Sequence, residues 1–527
     1  MKNNFLLVLF IFTFLSHTSI AQKMVSTNLT HKPRVIVTAD PELDDNNSLI
    51  RFLLYSSDFT IEGLVYASSQ FHWKGDGKGT KFMVPGREYT RYGLNLCPCT
   101  SYRWAKDEKF IHNAVDAYAQ SYPNLKLHHP GYPTPAYLRS KIKYGNIEFE
   151  GDFTKDTEGS NLIKAAILDK NSEPLYITAW GGASTIARAL KSIEDSLSKN
   201  SNWALIKKKI STKVILLLSG DQDNTHTSYI LPHWPEMRYM QFKNGPNYGY
   251  GAQLIANKEN AIYLTPHWMM DNVLTKGAFG KIYRVWGDGK QMVKNDPFDY
   301  FGLDGYTNEQ LKAMGYVVWM PKQEKNSWLG EGDTGTFMNL LDNGLNAIDF
   351  NSLGGWGGRY YVPNPATDIN PFSNDTSKVK DLVISANMLS KMDSAAKTLS
   401  DFPNFFPAVQ NDFASRLVWA TTTQYQQANH APVITAQQKY FVKAGETIEL
   451  KAMVKDPDGD ALTVQWWQFA KYKNSPKVMI QNKEELNTKV QVPSNVVVNE
   501  KINLILEVRD NAKNYITRYK NIELIVK

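Results

Sequence analysis

An α/β fold with a mostly parallel, helix-flanked sheet, followed by a smaller all-β sandwich, is what the sequence predicts. Three observations predict it. Val35-Ile36-Val37 is a β-branched run suited to a strand covered on both faces, and from about Asp44 the pattern turns helical, with Leu49, Ile50, Leu53 and Leu54 as an apolar stripe. A second strand over 61–67 follows at the spacing of a βαβ unit, and buried strands recur at 175–180 and 214–219. From Ala431 the texture changes to short alternating strands.

Residues 34–45 organise the first half. Asp40 falls just past the carboxyl end of the first strand and Pro41 fixes a turn. Asp44 and Asp45 lie in the first helical turn, where amide N–H groups and the helix dipole tolerate negative charge. Ligands of open parallel sheets bind outside the carboxyl ends of the strands. Acids converging there repel one another unless a cation lies between them, and an all-oxygen set favours Ca2+ or Mg2+. The same residues are also ordinary turn and N-cap choices, so spacing alone leaves both readings open.

At 527 residues the chain exceeds one core and suits two or three domains. The expected division is a leader over 1–21, an α/β domain over 22–425 and a sandwich over 426–527. Hydrophobic residues at 42% and charged residues at 21% mark a globular chain. A net charge of +7 is thin over this length, and Lys207-Lys208-Lys209 reads as a solvated helix end, so no nucleic-acid polymer is expected as a partner. Thirteen Trp and 27 Tyr suit stacking on sugar rings, although most must serve as core. Lys2, an apolar run over 5–15 and Ser19-Ile20-Ala21 before Gln22 read as a secretory signal peptide. An exported protein, periplasmic or extracellular and without membrane insertion, is therefore expected. Export permits disulfides, yet a bridge from Cys97 to Cys99 would be strained, and two Cys make a poor zinc site; a structural or locally oxidised pair is expected.

Further along, His72 and Trp73 read as part of a packed loop. Residues 111–122 read as a helix stopped by Pro123, residues 135–143 as another, and His128-His129 as structural. Glu150 to Gly159 is an acidic, glycine-punctuated stretch, readable as a cap or as a loop over the site. It precedes a helix over 161–168. Trp180 runs into Gly181-Gly182, which lets backbone approach a ligand closely, and residue 219 leads into Gly220-Asp221-Gln222-Asp223. Glu331-Gly332-Asp333-Thr334 enters a helix over 337–341. In Gly354-Gly355-Trp356-Gly357-Gly358-Arg359-Tyr360, four glycines surround one Trp and one Arg. That is poor core material and reads as a mobile or closely approached loop displaying an aromatic plate and a cation. A polar linker is expected over 424–430, then strands over 447–454, 462–469 and 502–508. Asp456-Pro457-Asp458-Gly459-Asp460 has the acids to take Ca2+ but reads first as a solvated hairpin turn. Trp466 and Trp467 point to opposite faces, one as core and the other available for binding.

The order Asp40-Pro41-x-x-Asp44-Asp45 after a hydrophobic strand resembles the amino-terminal signature of the nucleoside hydrolases, calcium-dependent N-glycosidases. The resemblance implies that Asp40, Asp45, Asp333 and the main-chain carbonyl of Trp180 hold Ca2+. It also implies that Asp40 or Asp44 acts in catalysis and that Gln70 touches the sugar in place of the usual Asn. Two departures stand out. Gly332 occupies the place of the usual His near the leaving base, and the family's Asn- and Glu-containing sugar motif does not align with certainty beyond residue 219. Together with Gly332-Asp333-Thr334 and the glycine–tryptophan loop, the pattern resembles an exported bacterial family described as cellulose-binding proteins with a nucleoside-hydrolase-like domain and a smaller carboxyl-terminal domain. Ala431-Pro432-Val433 and the Asp456 turn resemble motifs of immunoglobulin-like or polycystic-kidney-disease-like sandwiches.

Two functions follow as expectations. One is a calcium-dependent hydrolase of an N-glycosidic or related glycosyl bond, with metal-bound water attacking the anomeric carbon while Asp40 or Asp44 takes the proton. Gln70, Trp356 and Arg359 would bind the carbohydrate or glycoside. The other is a non-catalytic, calcium-stabilised binder of cellulose or another glycan. A haloacid-dehalogenase-like phosphatase is excluded, because its nucleophilic Asp belongs where Thr38 stands.

Overall fold

The structure, a computed structural model, describes residues 32–361 and 399–527; the expected signal peptide lies outside them. Seven strands form the main sheet: β1 (Arg34–Ala39), β2 (Thr60–Tyr66), β3 (Ile142–Tyr144), β4 (Leu175–Ala179), β5 (Val214–Leu218), β6 (Arg238–Lys243) and β7 (Arg359–Tyr361). Their order is β3-β2-β1-β4-β5-β6-β7, with only the β6–β7 pair antiparallel. Central β1 is buried along its whole length, as its unbroken apolar run requires. The order reverses between β1 and β4, which makes their carboxyl ends the switch point of the sheet. Asp40 and Trp180 follow those two ends directly.

Helix Leu43–Leu54 buries Leu49, Ile50, Leu53 and Leu54 against the sheet layer. Helix Glu158–Leu168 starts from a capping box in which Thr157 and Ser160 exchange side-chain-to-backbone bonds, so Thr157 ends the acidic stretch as a cap. Two sequence expectations need correcting. The helix expected to stop at Pro123 runs on as Phe110–His128. Proline removes one N–H and crowds the preceding turn, but Leu125 and His128 beyond it are buried, and His128 bonds both His430 (3.0 Å) and the Thr422 carbonyl (3.0 Å). Packing carries the helix past the break. The helix expected to reach residue 143 ends as Pro135–Ser140, and Ile142–Tyr144 becomes the edge strand beside β2. Cys97 and Cys99 are joined by a disulfide next to buried Trp73 and Tyr89. Among the described residues, no helix is long and apolar enough to cross a membrane.

The sandwich is built from β8 (Val433–Ala436), β9 (Lys439–Val442), β10 (Thr447–Lys455), β11 (Leu462–Phe469), β12 (Met479–Ile480), β13 (Asn487–Gln491), β14 (Lys501–Asp510) and β15 (Thr517–Val526). One sheet has the order β12-β13-β10-β8 and the other β11-β14-β15-β9. Trp466 is core, as one of the Trp pair must be. Trp467 is not offered for binding: it is half-buried, bonds Glu507 (3.0 Å) and packs on Phe405. In the Asp456 turn, Asp456 accepts the N–H groups of Asp458 (2.8 Å) and Asp460 (3.1 Å), while Asp458 pairs with His430 (2.9 Å). His430 is buried and Trp419 bonds the Asn429 carbonyl (2.7 Å), so the polar linker is packed rather than free.

The sandwich is keyed to the α/β part through helix Phe406–Trp419. Buried Asp412 accepts from Tyr55 (2.7 Å), Arg416 (3.2 Å) and Arg518 (2.7 Å), joining β1's following helix, the keying helix and β15. Burial alone would raise the Asp412 carboxyl, but Arg518 and Arg416 outweigh it and hold it below its ordinary value. A carboxylate with a depressed folded value stabilises the fold above the unfolded value of about 4, and that stabilisation is lost as pH falls through the folded value. Asp412→Ala is therefore expected to cost about 3–5 kcal/mol at neutral pH, read by urea unfolding, with the gap to wild type narrowing below about pH 4. An equal gap at neutral and strongly acid pH would refute this role.

Candidate functional site

At the carboxyl end of β1 the chain turns sharply: Glu42 N–H bonds the Asp40 carbonyl (2.8 Å), and the helix starts at Leu43. Asp44 and Asp45 occupy its first turn, and Asp45 Oδ1 accepts the Asp40 N–H (3.2 Å). Asp333 arrives from nearly 300 residues later because its loop is bolted to the same helix. Arg51 bonds Glu331 (2.5 Å), Tyr283 bonds the same carboxylate (2.6 Å), and Asn47 holds the Gly330 carbonyl (3.0 Å). Asp333 is the N-cap residue of helix Thr334–Met338 but caps nothing with its side chain; the carboxylate turns instead toward Asp45 and Ser219.

Asp40, Asp44, Asp45 and Asp333, expected to meet, do meet. Asp40 is 0% exposed, and Asp45 and Asp333 are 2% exposed each, so their mutual repulsion is little screened by water. Burial first, then the neighbouring Asp333 and Asp40, push the Asp45 carboxyl well above its ordinary range. Burial and then Asp44 do the same to Asp333. Asp44 is pushed up to about 6, chiefly by burial and, among the charges, by Asp40, against the hydrogen bonds it accepts. Glu42 is also raised, by burial and then by Asp44. The guanidinium that eases Glu42 belongs to Arg103, which already pairs with Glu88 and Asp296.

Several participants gave no clear signal in sequence. His72, expected only to pack, places Nδ1 3.1 Å from Asp40 Oδ2, and Ser69 donates to the same oxygen (2.5 Å). Burial, then Arg103, lower the His72 pKa, so the ring is neutral; with Nδ1–H donating to Asp40, Nε2 carries the lone pair. Glu42 is within 4.0 Å of His72 and was visible only as a neighbour in the motif. Tyr250 donates to Asp44 Oδ1 (3.2 Å) and is stacked on Phe301, an arrangement made by segments distant in sequence.

The residues fit a hard cation. Asp40 Oδ1 is buried with no hydrogen-bond partner, and so is His72 Nε2. One carboxylate oxygen each from Glu42, Asp44 and Asp45 lies within 4.8 Å of the others, as does one ligand atom each from Asp40, Glu42 and His72. A Cβ on Gly181 would stand 2.7 Å from Asp40 Oδ1, so glycine keeps that oxygen open. A predominantly carboxylate set of this kind suits Ca2+ or Mg2+ more than a soft metal.

Other expected residues stand elsewhere or are otherwise occupied. The Trp180 carbonyl accepts the Gln222 amide (2.5 Å), which takes one of its two lone pairs. Buried Gln70 donates to the Gln222 carbonyl (3.1 Å) and braces that loop. Trp356 and Arg359 are not displayed: they are 1% and 3% exposed. Trp356 lies edge-on to Tyr519 of β15, and Arg359 bonds the carbonyls of Ser400 (3.0 Å) and Ala470 (3.0 Å). The glycines that made the loop look mobile instead let its backbone pack tightly: a Cβ on Gly357 would stand 2.4 Å from the Gly335 carbonyl oxygen.

A family model described as "Cellulose-binding Sde182, nucleoside hydrolase-like domain" matches residues 34–360, and one described as "Cellulose-binding protein Sde0182, C-terminal domain" matches residues 447–526. Among solved structures, a nucleoside hydrolase-related hypothetical protein from Saccharophagus degradans, associated with carbohydrate metabolism, is 24% identical. The match covers 94% of this chain and 100% of that one, with a TM-score of 0.65, and shows a shared fold. A chimeric titin Z1Z2 (24% identity, 19% of this chain, 97% of that chain, TM-score 0.14) and murine CRIg (12% identity, 19% and 99%, TM-score 0.14) also match, too weakly to bear an argument. No curated protein matches. The fold is thus nucleoside-hydrolase-like with an appended β-sandwich.

Acids with raised folded values stabilise the fold below the unfolded value of about 4, and that stability is lost as pH rises through the folded value, about 6 for Asp44. In chelator, the unfolding free energy is therefore expected to fall between about pH 4 and pH 7. Asp45→Asn, which keeps an oxygen for the Asp40 N–H, should raise stability in chelator at neutral pH by about 0.5–2 kcal/mol. A destabilised variant under those conditions would contradict the repulsion.

Proposed function

This chain belongs to the family of cellulose-binding proteins with a nucleoside-hydrolase-like domain, and from that premise we propose that it is an exported, glycan-directed hydrolase whose acid cluster binds Ca2+. Asp40, Asp45 and Asp333 hold the cation, with the Trp180 carbonyl as a further ligand through the lone pair that Gln222 does not use. The observation that carries the reading is the gathering of four acids at the switch point: Asp40, Asp45 and Asp333 are buried and Asp44 half-buried, and burial with the neighbouring acids raises Asp44, Asp45 and Asp333.

When bound, the cation supplies charge neutralisation and Lewis acidity toward sugar hydroxyls and water. The chain's own residues do the rest. Ser69 and His72 fix Asp40 through Oδ2, which leaves Oδ1 as the oxygen able to accept a proton from a water attacking the anomeric carbon. Asp44 is half-buried at the mouth of the cluster, and with its carboxyl near 6 it can hold or release a proton close to neutral pH. Tyr250 orients it through the phenol O–H.

A second reading, glycan binding without cleavage, is favoured by one feature. Where related hydrolases would carry a leaving-group His, Gly332 donates its N–H to Asp44 Oδ2 (3.1 Å), and a Cβ there would lie 2.2 Å from that oxygen. No side chain fits in this arrangement, so leaving-group assistance must come from elsewhere or be absent.

Calcium titration calorimetry on wild type, Asp45→Asn and Asp333→Asn, with reducing-end and free-base release measured on cello-oligosaccharides and nucleosides, separates the readings. The expected result is calcium binding lost by about tenfold or more in both variants, and turnover lowered by about 10²–10⁴ in Asp40→Asn. Calcium and glycan binding with no turnover on any substrate would establish the second reading. Calcium affinity unchanged in both variants would remove the cation site altogether.

A further inference from the structure

We propose that the cleft at the carboxyl end of β6 is a subsite for a neutral polysaccharide, a β-glucan chain being the ligand class. The inference rests on the glycan-directed reading above and gives that ligand a place. The cleft measures about 270 Å³ and lies between the segment that follows β6 and residues 402–406. No charged side chain among the described residues lines it, although 21% of the chain is charged. Phosphate or uronate ligands call for Arg or Lys, so the missing charge argues against anionic partners.

In place of charge the cleft has amides: Asn244, Asn247, Asn257, Asn260 and Asn404 all face it. The Asn244 amide has no hydrogen-bond partner among the described residues. Among the described residues, Asn247, Asn257 and Asn260 engage only their oxygens, with Gly249 N–H (3.0 Å), Asn260 N–H (2.8 Å) and the Asn404 amide (2.9 Å). Their NH2 donors are left over. A carboxamide both donates and accepts, as a sugar hydroxyl does, so a row of amides reads hydroxyl groups without demanding an ionic ligand. The remaining wall is apolar. Half-buried Phe402 supplies an aromatic ring, and Ile255, 41% exposed, stands on the rim. The C–H faces of a pyranose ring pack on such surfaces while its hydroxyls turn to the amides.

The glycine–tryptophan loop gains its role here. Arg359, buried beneath Phe402, sets its guanidinium 5.0 Å from the ring centroid and braces the ring from behind. Gly358 lies against the cleft segment so closely that a Cβ on Gly245 would stand 2.6 Å from its Cα. The cleft segment is continuous in sequence with a residue of the acid cluster's surround. From Asn247 the chain runs through Gly249 to Tyr250, whose phenol reaches Asp44. β6 stands three strand positions from β1 on the same carboxyl rim, about 14 Å across the sheet. At that separation a chain-like ligand is long enough to reach from the cleft to Asp44, whereas a lone monosaccharide is not.

The test is calorimetric binding of cellohexaose to the full chain. Ile255→Arg alters an exposed rim position without touching the core, and Asn404→Ala removes an exposed amide; thermal melting verifies that both fold. Each should weaken cellohexaose affinity by about tenfold or more while calcium affinity stays that of wild type. Wild-type affinity should not change between about 50 and about 500 mM salt, since the ligand is neutral. If wild type binds cellohexaose and both folded variants bind equally well, the subsite lies elsewhere and only this inference fails. If binding is confined to acidic polysaccharides and fades with salt, the ligand class is wrong. If wild type binds no glycan, the glycan-directed reading fails with it.

Discussion

Repulsion among buried carboxylates is the constraint from which the rest of this molecule follows. Asp40, Asp45 and Asp333 are shut away from water within reach of one another, with Asp44 and Glu42 at the mouth. An arrangement of that kind works against folding unless something is gained elsewhere. The surrounding structure is arranged to keep it in place. Ser69, His72, Tyr250 and the Gly332 amide each hold one carboxylate oxygen, and Arg51 with Glu331 fastens the remote loop to the first helix. A core made only for stability would carry apolar side chains at these positions; the proposed cation site rests on their being acids instead.

The β-sandwich is part of the same construction. Helix Phe406–Trp419 is buried on nearly every face, and through Asp412 and Arg416 it ties the first α/β helix region to β15. Tyr519 of β15 lies against Trp356, and the Asn343 carbonyl accepts its N–H (2.9 Å). The glycine–tryptophan loop is therefore a joint between sandwich and sheet. By fixing Phe402 and the segment after β6, that joint shapes the surface on the rim beside the acids.

Much of the fold was legible because local patterns answer to local physics. The runs 35–37, 175–180 and 214–219 read as buried strands since an all-apolar stretch has no face to give to water. The capping chemistry at Thr157 and the alternation over 462–469 were equally local. Where local rules misled, burial overrode them. Pro123 did not end its helix because His128 and Leu125 beyond it are held by the core, and residues 142–144 became a strand because β2 offered an open edge.

The same division holds for the candidate site. Asp40, Asp44 and Asp45 were readable from one dodecapeptide, since strand end, turn and first helical turn fix their relative positions within a few residues. Asp333 was reached through resemblance. His72, Tyr250 and the bracing of Trp180 by Gln222 were not readable, because hydrogen-bond partners far apart in sequence leave no periodic trace. Trp356 and Arg359 were misplaced for a related reason: composition tells how freely a backbone can bend, whereas burial depends on what packs against it. Sequence alone thus determined the strand-and-helix order and the acids carried on β1 and its helix. Tertiary structure alone decided which distant groups close around those acids and which side chains are hidden, because long-range packing is set by shape complementarity between segments that share no local pattern.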